Sequence, residues 1–184
     1  LLGQFGALTT IGLALLLAVV AELGLRRGIR LAGELAETPF RKEADAIAAT
    51  GLDRLTAVFL IATIAATGIS ALAPVTDGDA LCYHLQVPKV FLMEGSAGFS
   101  PDLHETIYPL TTEMLYLIAL AFRGPVACRC IQWMLGLAMA ANVTAMARPS
   151  LGARAWWAGA GALLVPAITN GMSAPLNDVA LAAF

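Results

Sequence analysis

Apolar residues run in long unbroken blocks along this chain, and polar residues collect between them. The first block covers 5–25, with Glu22 as its one charge. A helix needs about 20 residues to cross hydrocarbon, so this block is long enough to span. Blocks at 55–73, 126–147 and 155–170 read the same way, and positions 179–184 start another. Between 108 and 122 the pattern is shorter, because Thr111, Thr112 and Glu113 interrupt its first half. The uninterrupted part, 114–122, gives only about 13 Å of helix against about 30 Å of hydrocarbon. Pro109 suits a first helical turn and Gly124-Pro125 stops a helix, so an interfacial helix over 109–122 is expected. Another is expected over 80–94, which is half apolar through Leu81, Leu85, Val90 and Phe91. The pattern therefore predicts an all-α fold: a multi-pass transmembrane helical bundle with interfacial helices in an outer loop, 74–125.

Composition agrees. Of 184 residues, 59% are hydrophobic and 13% charged, against about 45–50% and about 25% in soluble domains. A chain of this size has no interior able to hide that excess. This excludes a soluble enzyme and a disordered regulator, and a net charge of −2 leaves no basic surface for nucleic acid. The chain opens at Leu1 and stops inside an apolar run, which reads as a piece of a longer membrane protein. The basic residues follow block 5–25 where a signal peptide would have them in front. Three cysteines make no framework, and Cys128 and Cys130 read as packing.

Charge orients the blocks. Six of the 11 Lys and Arg residues fall between Arg26 and Arg54, which marks that loop as cytoplasmic. Block 55–73 then runs outward and delivers Asp77, Asp79, Glu94, Asp102, Glu105 and Glu113 to the far side, with Lys89 alone against them. If 109–122 does not cross, Arg148 and Arg154 become cytoplasmic, Trp156-Trp157 sits at the inner interface, and 171–178 returns outside. If it does cross, Arg123 and Arg129 satisfy the charge rule and Arg148 and Arg154 break it. The charges balance, and length favours the helix that does not cross.

The chemistry-bearing residues gather where 55–73 emerges. Gly78 permits a tight turn, and Asp79 either caps a helix beginning at Ala80 or offers a functional carboxylate. Tyr83 lies one turn on along the same face, and His84 lies about 140° further round. By themselves Tyr83 and His84 suit an interface, and Lys89 suits a lipid headgroup. Asp178 follows Pro175 and precedes an apolar run, so it too is a candidate cap. It lies 99 positions after Asp79 and, in the favoured topology, returns to the same face. Two acids meeting there suit a base or a metal site. Arg129 is placed either to neutralise a phosphate or to reach headgroups.

The string Asp79-Ala80-Leu81-Cys82-Tyr83-His84-Leu85, with Pro88-Lys89 just after, resembles the first outer-loop motif of a bacterial branch of the GT-C membrane glycosyltransferases. These are relatives of protein O-mannosyltransferases and of the lipid A aminoarabinose transferase. The resemblance continues through Tyr108-Pro109-Leu110, Glu113-Met114-Leu115-Tyr116, Arg129 and Asn177-Asp178-Val179-Ala180-Leu181, and covers roughly 57–184. Gly78 departs from it, since family members often carry an aromatic before the acid.

The resemblance implies transfer of a sugar from a polyprenyl-phosphate donor on the outer face of the bacterial cytoplasmic membrane. The acceptor would be a hydroxyl or amine on an envelope glycan, lipid or protein. Asp79 matches the family's essential acid, and Asp178 matches a second acid that helps bind a divalent metal ion or the acceptor. Tyr83, His84, Lys89 and Arg129 are the candidate substrate-binding residues. Membrane lipids are expected partners and nucleic acid is not. Two other functions remain open: a transporter, which expects ionisable residues within its spans, and a non-catalytic membrane scaffold with an acidic outer loop.

Overall fold

Thr50 sets the start of the first long helix. Its hydroxyl accepts from the Asp53 amide at 3.1 Å, and Asp53 Oδ2 accepts from the Thr50 amide at 3.0 Å. This reciprocal cap satisfies two donors that a helix start leaves unpaired. It opens α1, Gly51–Ala71, which stops ahead of Pro74. The computed structural model describes residues 50–183, together with Thr9, 11–19, 21–22 and Arg26.

A π-helical turn, Ala80–His84, leads into α2, Gln86–Glu94. After a short 3-10 turn at His104–Ile107 come α3, Thr111–Arg123, and α4, Pro125–Leu151. Gly124 alone joins α3 to α4, with φ at +76°, a conformation that favours glycine. The chain then forms α5, Trp156–Leu163, α6, Pro166–Gly171, and α7, Asp178–Ala183. Among the described residues there is no strand, only an isolated bridge between Ser100 and Leu103, so the all-α expectation holds.

Two helices are long and apolar enough to cross a membrane: Gly51–Ala71, and Pro125–Arg154 when the turn after α4 is included. Their most apolar windows are only 11% and 22% buried, where the core helix of a soluble protein would be mostly covered. Leu55, Val58, Phe59, Ile61 and Ile69 stand exposed along α1. An apolar belt of that kind calls for apolar surroundings.

Polar cross-links fix how these helices run. At the Pro74 end of α1, Arg129 Nη1 donates to the Pro74 carbonyl at 2.6 Å and Nη2 donates to Ser70 Oγ at 3.4 Å. Midway, Trp133 Nε1 donates to Thr67 Oγ1 at 3.1 Å. At the other end, Trp157 Nε1 donates to Asp53 Oδ1 at 2.8 Å. Thus α4 begins where α1 ends and runs antiparallel to it, while α5 starts beside the beginning of α1. Met139, Ala140, Leu163, Met172, Val179 and Ala183 form the core among α4, α5 and α7. Gln132 Nε2 donates to the Gly171 carbonyl at 3.3 Å, and Asn142 Nδ2 to the Ala183 carbonyl at 2.7 Å. These two bonds make α7 follow the direction of α4 and leave Asp178 toward the Pro74 end.

Several expected elements change. The block 155–170 is not one helix: Val165 is extended, at φ −70° and ψ 123°, directly before Pro166. Proline supplies no amide and disfavours helix in the residue before it, which divides the block into α5 and α6. The 80–94 segment is helical but carries the π-turn. The expected 109–122 helix is found as Thr111–Arg123. Of block 5–25, residues 11–19 are helical and most of the remainder lies outside the described residues. Within that segment Leu13 packs against Val87 and Phe91 of α2 and Leu117 of α3. The start expected at 179–184 is α7, with Phe184 outside the described residues.

Candidate functional site

Asp79 does not cap its helix. It has helical backbone, φ −62° and ψ −39°, and makes no capping hydrogen bond. Helical backbone already begins at Gly78, so the tight turn expected there is not made. The Asp77 carbonyl accepts the first bond, from the Leu81 amide at 3.0 Å. The exposed Asp79 carboxylate is therefore released from the capping duty that competed with a functional role.

Asp79 and His84 are five positions apart, and in an α-helix the two would diverge. Here the Leu85 amide donates to the Ala80 carbonyl at 2.9 Å, the i→i+5 bond of a π-turn. The extra residue in the turn lets the packing of α2 continue while His84 points inward. His84 is 2% exposed, and its Nδ1 lies 2.6 Å from Oε1 of Glu113, which is 1% exposed. His84, a candidate substrate-binding residue from the sequence, is thus buried and paired with Glu113.

Tyr83 stacks on His84, with ring centroids 3.9 Å apart, and meets Tyr108 edge-on at 6.3 Å. Tyr108 in turn meets the exposed ring of His104 at 6.1 Å. A row of rings thus leads from the buried carboxylate out to the surface. Burial pushes the Tyr83 phenol above its ordinary value, and the charges of Glu113, Asp79 and Asp178 push it further. Asp79 and Asp178, the two acids singled out from the sequence, are thus among the charges that disfavour ionisation of this one phenol. That phenol stays protonated and can donate a hydrogen bond among carboxylates.

Asp178 reaches this place through a second buried network. Tyr116, fully buried, shares its hydroxyl proton between Gln132 Oε1 at 2.9 Å and the Leu176 carbonyl. Burial holds the Tyr116 phenol protonated as well. With the bond from Gln132 to Gly171, these contacts pin 171–176 against α3 and α4. Asp178 is exposed and opens α7, where a negative charge suits the helix dipole, and the Asn177 carbonyl accepts the first helical bond. Its expected capping position is thus taken by Asn177.

The cations behave differently. Arg129 is 6% exposed and points inward to the end of α1, with no carboxylate partner among the described residues and Nε left unpaired. It reaches neither headgroups nor open solvent. Lys89 is exposed on α2, and no ion pair joins it to the acids among the described residues. Cys128 is packed, its Sγ donating weakly to the Tyr116 carbonyl at 3.5 Å. Between α1 and α4 an open apolar groove of about 640 Å³ is lined by Ile61, Ile64, Gly68, Ile69, Trp133 and Met134. Cys130 lines the groove and Ser70 adjoins Ile69 and Ala71 of its wall, so Arg129, bonded to Ser70, stands at its Pro74 end.

Among the described residues no group of three or more His, Cys, Asp and Glu side chains is placed to hold a metal ion. Asp79 and Asp178 supply one exposed carboxylate each, fewer oxygens than a hard divalent cation takes. Glu113, Tyr116, Gln132 and Tyr108 were not singled out as functional from the sequence. The available signal was a glutamate in the first turn of an apolar helix, with Tyr116 and Leu117 following on its own face. Comparison with family models, with curated proteins and with solved structures gives no match for the chain.

Proposed function

We propose that this chain is part of a multi-pass glycosyltransferase of the bacterial cytoplasmic membrane, acting on its outer face. The donor is a polyprenyl-phosphate sugar, and the acceptor is a hydroxyl or amine of an envelope glycan, lipid or protein. The observation that carries this reading is that Asp79 and Asp178, 99 positions apart, both stand exposed toward the Pro74 end of the α1–α4 pair, where the Gln132–Gly171 and Asn142–Ala183 bonds leave the start of α7. The antiparallel course of α1 and α4, both long enough to cross a membrane, supports a topology in which α2 and α3 stay at one surface.

The chemistry follows from the residues. A carboxylate is ionised at neutral pH and can take the proton of an acceptor hydroxyl as its oxygen attacks the anomeric carbon. The bond from that carbon to the phosphate oxygen breaks, and polyprenyl phosphate leaves with the electron pair. Asp79, exposed and free of capping, takes the base role. Asp178 orients the acceptor or holds a divalent cation together with the donor phosphate. Tyr83 donates a hydrogen bond at the same place. The apolar groove beside Arg129 suits an isoprenoid chain, and Lys89 is exposed to meet a phosphate.

A transporter is the second reading, favoured by the division of 156–171 into two short helices. Against it, the residues at the break, Leu164 and Val165, are exposed and apolar. Transfer by wild type beside Asp79→Asn, both in the full-length protein, separates the two. In vesicles given undecaprenyl-phosphate hexoses, the variant should lose transfer at unchanged abundance. Retained transfer in the variant removes Asp79 from the mechanism, and a wild-type chain that transfers no sugar contradicts the proposal.

A further inference from the structure

Glu113 has no evident reason to be where it is. It sits in the first turn of α3 with 1% of its side chain exposed, and Oε2 has no hydrogen-bond partner among the described residues. An apolar residue would pack there without the cost of burying a carboxylate. What the carboxylate does hold is His84, at 2.6 Å. His84 closes the π-turn, a local geometry that is rare and concentrated at functional sites. The same turn carries Asp79 at its start and Tyr83 next to the histidine, ring against ring. On its inner side the turn is packed through Ala80 and Leu85, Leu85 lies in a cluster with Tyr116, Ala119 and Cys128, and Tyr83 packs against the cluster of Val87, Phe91 and Leu117. Those apolar contacts set its depth and are non-directional. The His84–Glu113 bond is directional and joins residues 29 positions apart.

We infer that Glu113 is a positioning residue: through His84 it locks the rotation of the 79–84 turn and so fixes where Asp79 and Tyr83 stand relative to Asp178. It touches neither donor nor acceptor. The anchoring itself is independent of the transferase reading, whereas its effect on turnover rests on that reading.

Two measurements on the full-length protein in lipid nanodiscs test this. The first is amide hydrogen exchange in wild type, Glu113→Ala and Glu113→Gln. Glu113→Ala should speed exchange at Leu81 and Leu85 by at least about tenfold, with the α1 amides unchanged as a control for folding. Glu113→Gln still accepts from Nδ1 and should stay within about threefold of wild type. The second is transfer from undecaprenyl-phosphate hexoses, alongside binding of undecaprenyl phosphate. Glu113→Ala should lower kcat by about tenfold or more, change lipid affinity by less than about threefold, and be largely rescued in Glu113→Gln. Unchanged exchange in Glu113→Ala overturns the anchor. Faster exchange with wild-type kcat overturns its role in positioning. A wild-type protein that neither binds undecaprenyl phosphate nor transfers overturns the transferase reading alone, and the exchange result then decides the anchor by itself.

Discussion

Gly159 and Gly161 lie two residues apart on α5, and the structure gives them opposite responses to the same substitution. A Cβ on Gly159 would stand 2.1 Å from Thr144 Oγ1 and 2.6 Å from the Ala140 carbonyl oxygen. Carbon and oxygen approach to about 3.3 Å at closest, so α5 must move by about 0.7 Å to clear the carbonyl alone. The Thr144 side chain can rotate away, at the cost of its bond to Ala140 O, but the carbonyl belongs to the α4 backbone. Overpacking of this kind costs about 1–3 kcal/mol and the lost hydrogen bond about 1 kcal/mol. Replacing a helical glycine by alanine returns about 1 kcal/mol. Gly159→Ala should therefore destabilise by about 2 kcal/mol. Gly161 has nothing within 4 Å of its Cβ, so Gly161→Ala should be neutral or stabilise by up to about 1 kcal/mol. Thermal unfolding of the full-length protein in nanodiscs reads both. Adding Thr144→Ala to Gly159→Ala should recover only part of the loss, because the carbonyl clash remains. Equal melting temperatures for the two alanine variants would refute the close α4–α5 packing.

Other expectations follow from the buried polar groups. Tyr116→Phe leaves Gln132 Oε1 and the Leu176 carbonyl without their donor, and should cost about 1–3 kcal/mol. Amide exchange should then rise in 171–178 and not in α1. The Tyr83 phenol should titrate above its ordinary value of about 10, and Asp79→Asn and Asp178→Asn should each bring it down. A raised folded value means that stability from this phenol is complete below about pH 10 and is lost as pH rises through the folded value. NMR of ring-labelled tyrosine checks the shift, and an unchanged Tyr83 titration in Asp178→Asn would separate the two acids.

The long helices were legible because their signal is local. Blocks 55–73 and 126–147 carry enough consecutive apolar residues that α1 and α4 follow within four residues of the expected bounds. Pro109 and Gly124-Pro125 delimited α3 equally well. Pro166 also sat in plain view inside 155–170, and its effect on Val165 was outweighed by the length of the apolar run. The candidate site was half legible. Asp79, Tyr83 and Asp178 stood out by type and by topology. The pairing of His84 with Glu113 did not, since a contact between residues 29 positions apart depends on how α2 and α3 pack. Helical geometry placed His84 away from Asp79, and one inserted residue in the π-turn changed its surroundings.

The central claim is that Asp79 and Asp178 serve one site on one face of the membrane. Single cysteines at Ser96 and Ser173, in a cysteine-free full-length protein, test it while leaving both acids intact. Both should react with an impermeant thiol reagent from outside intact cells. Labelling of one from outside, and of the other only after permeabilisation, would put the acids on opposite faces and contradict the account.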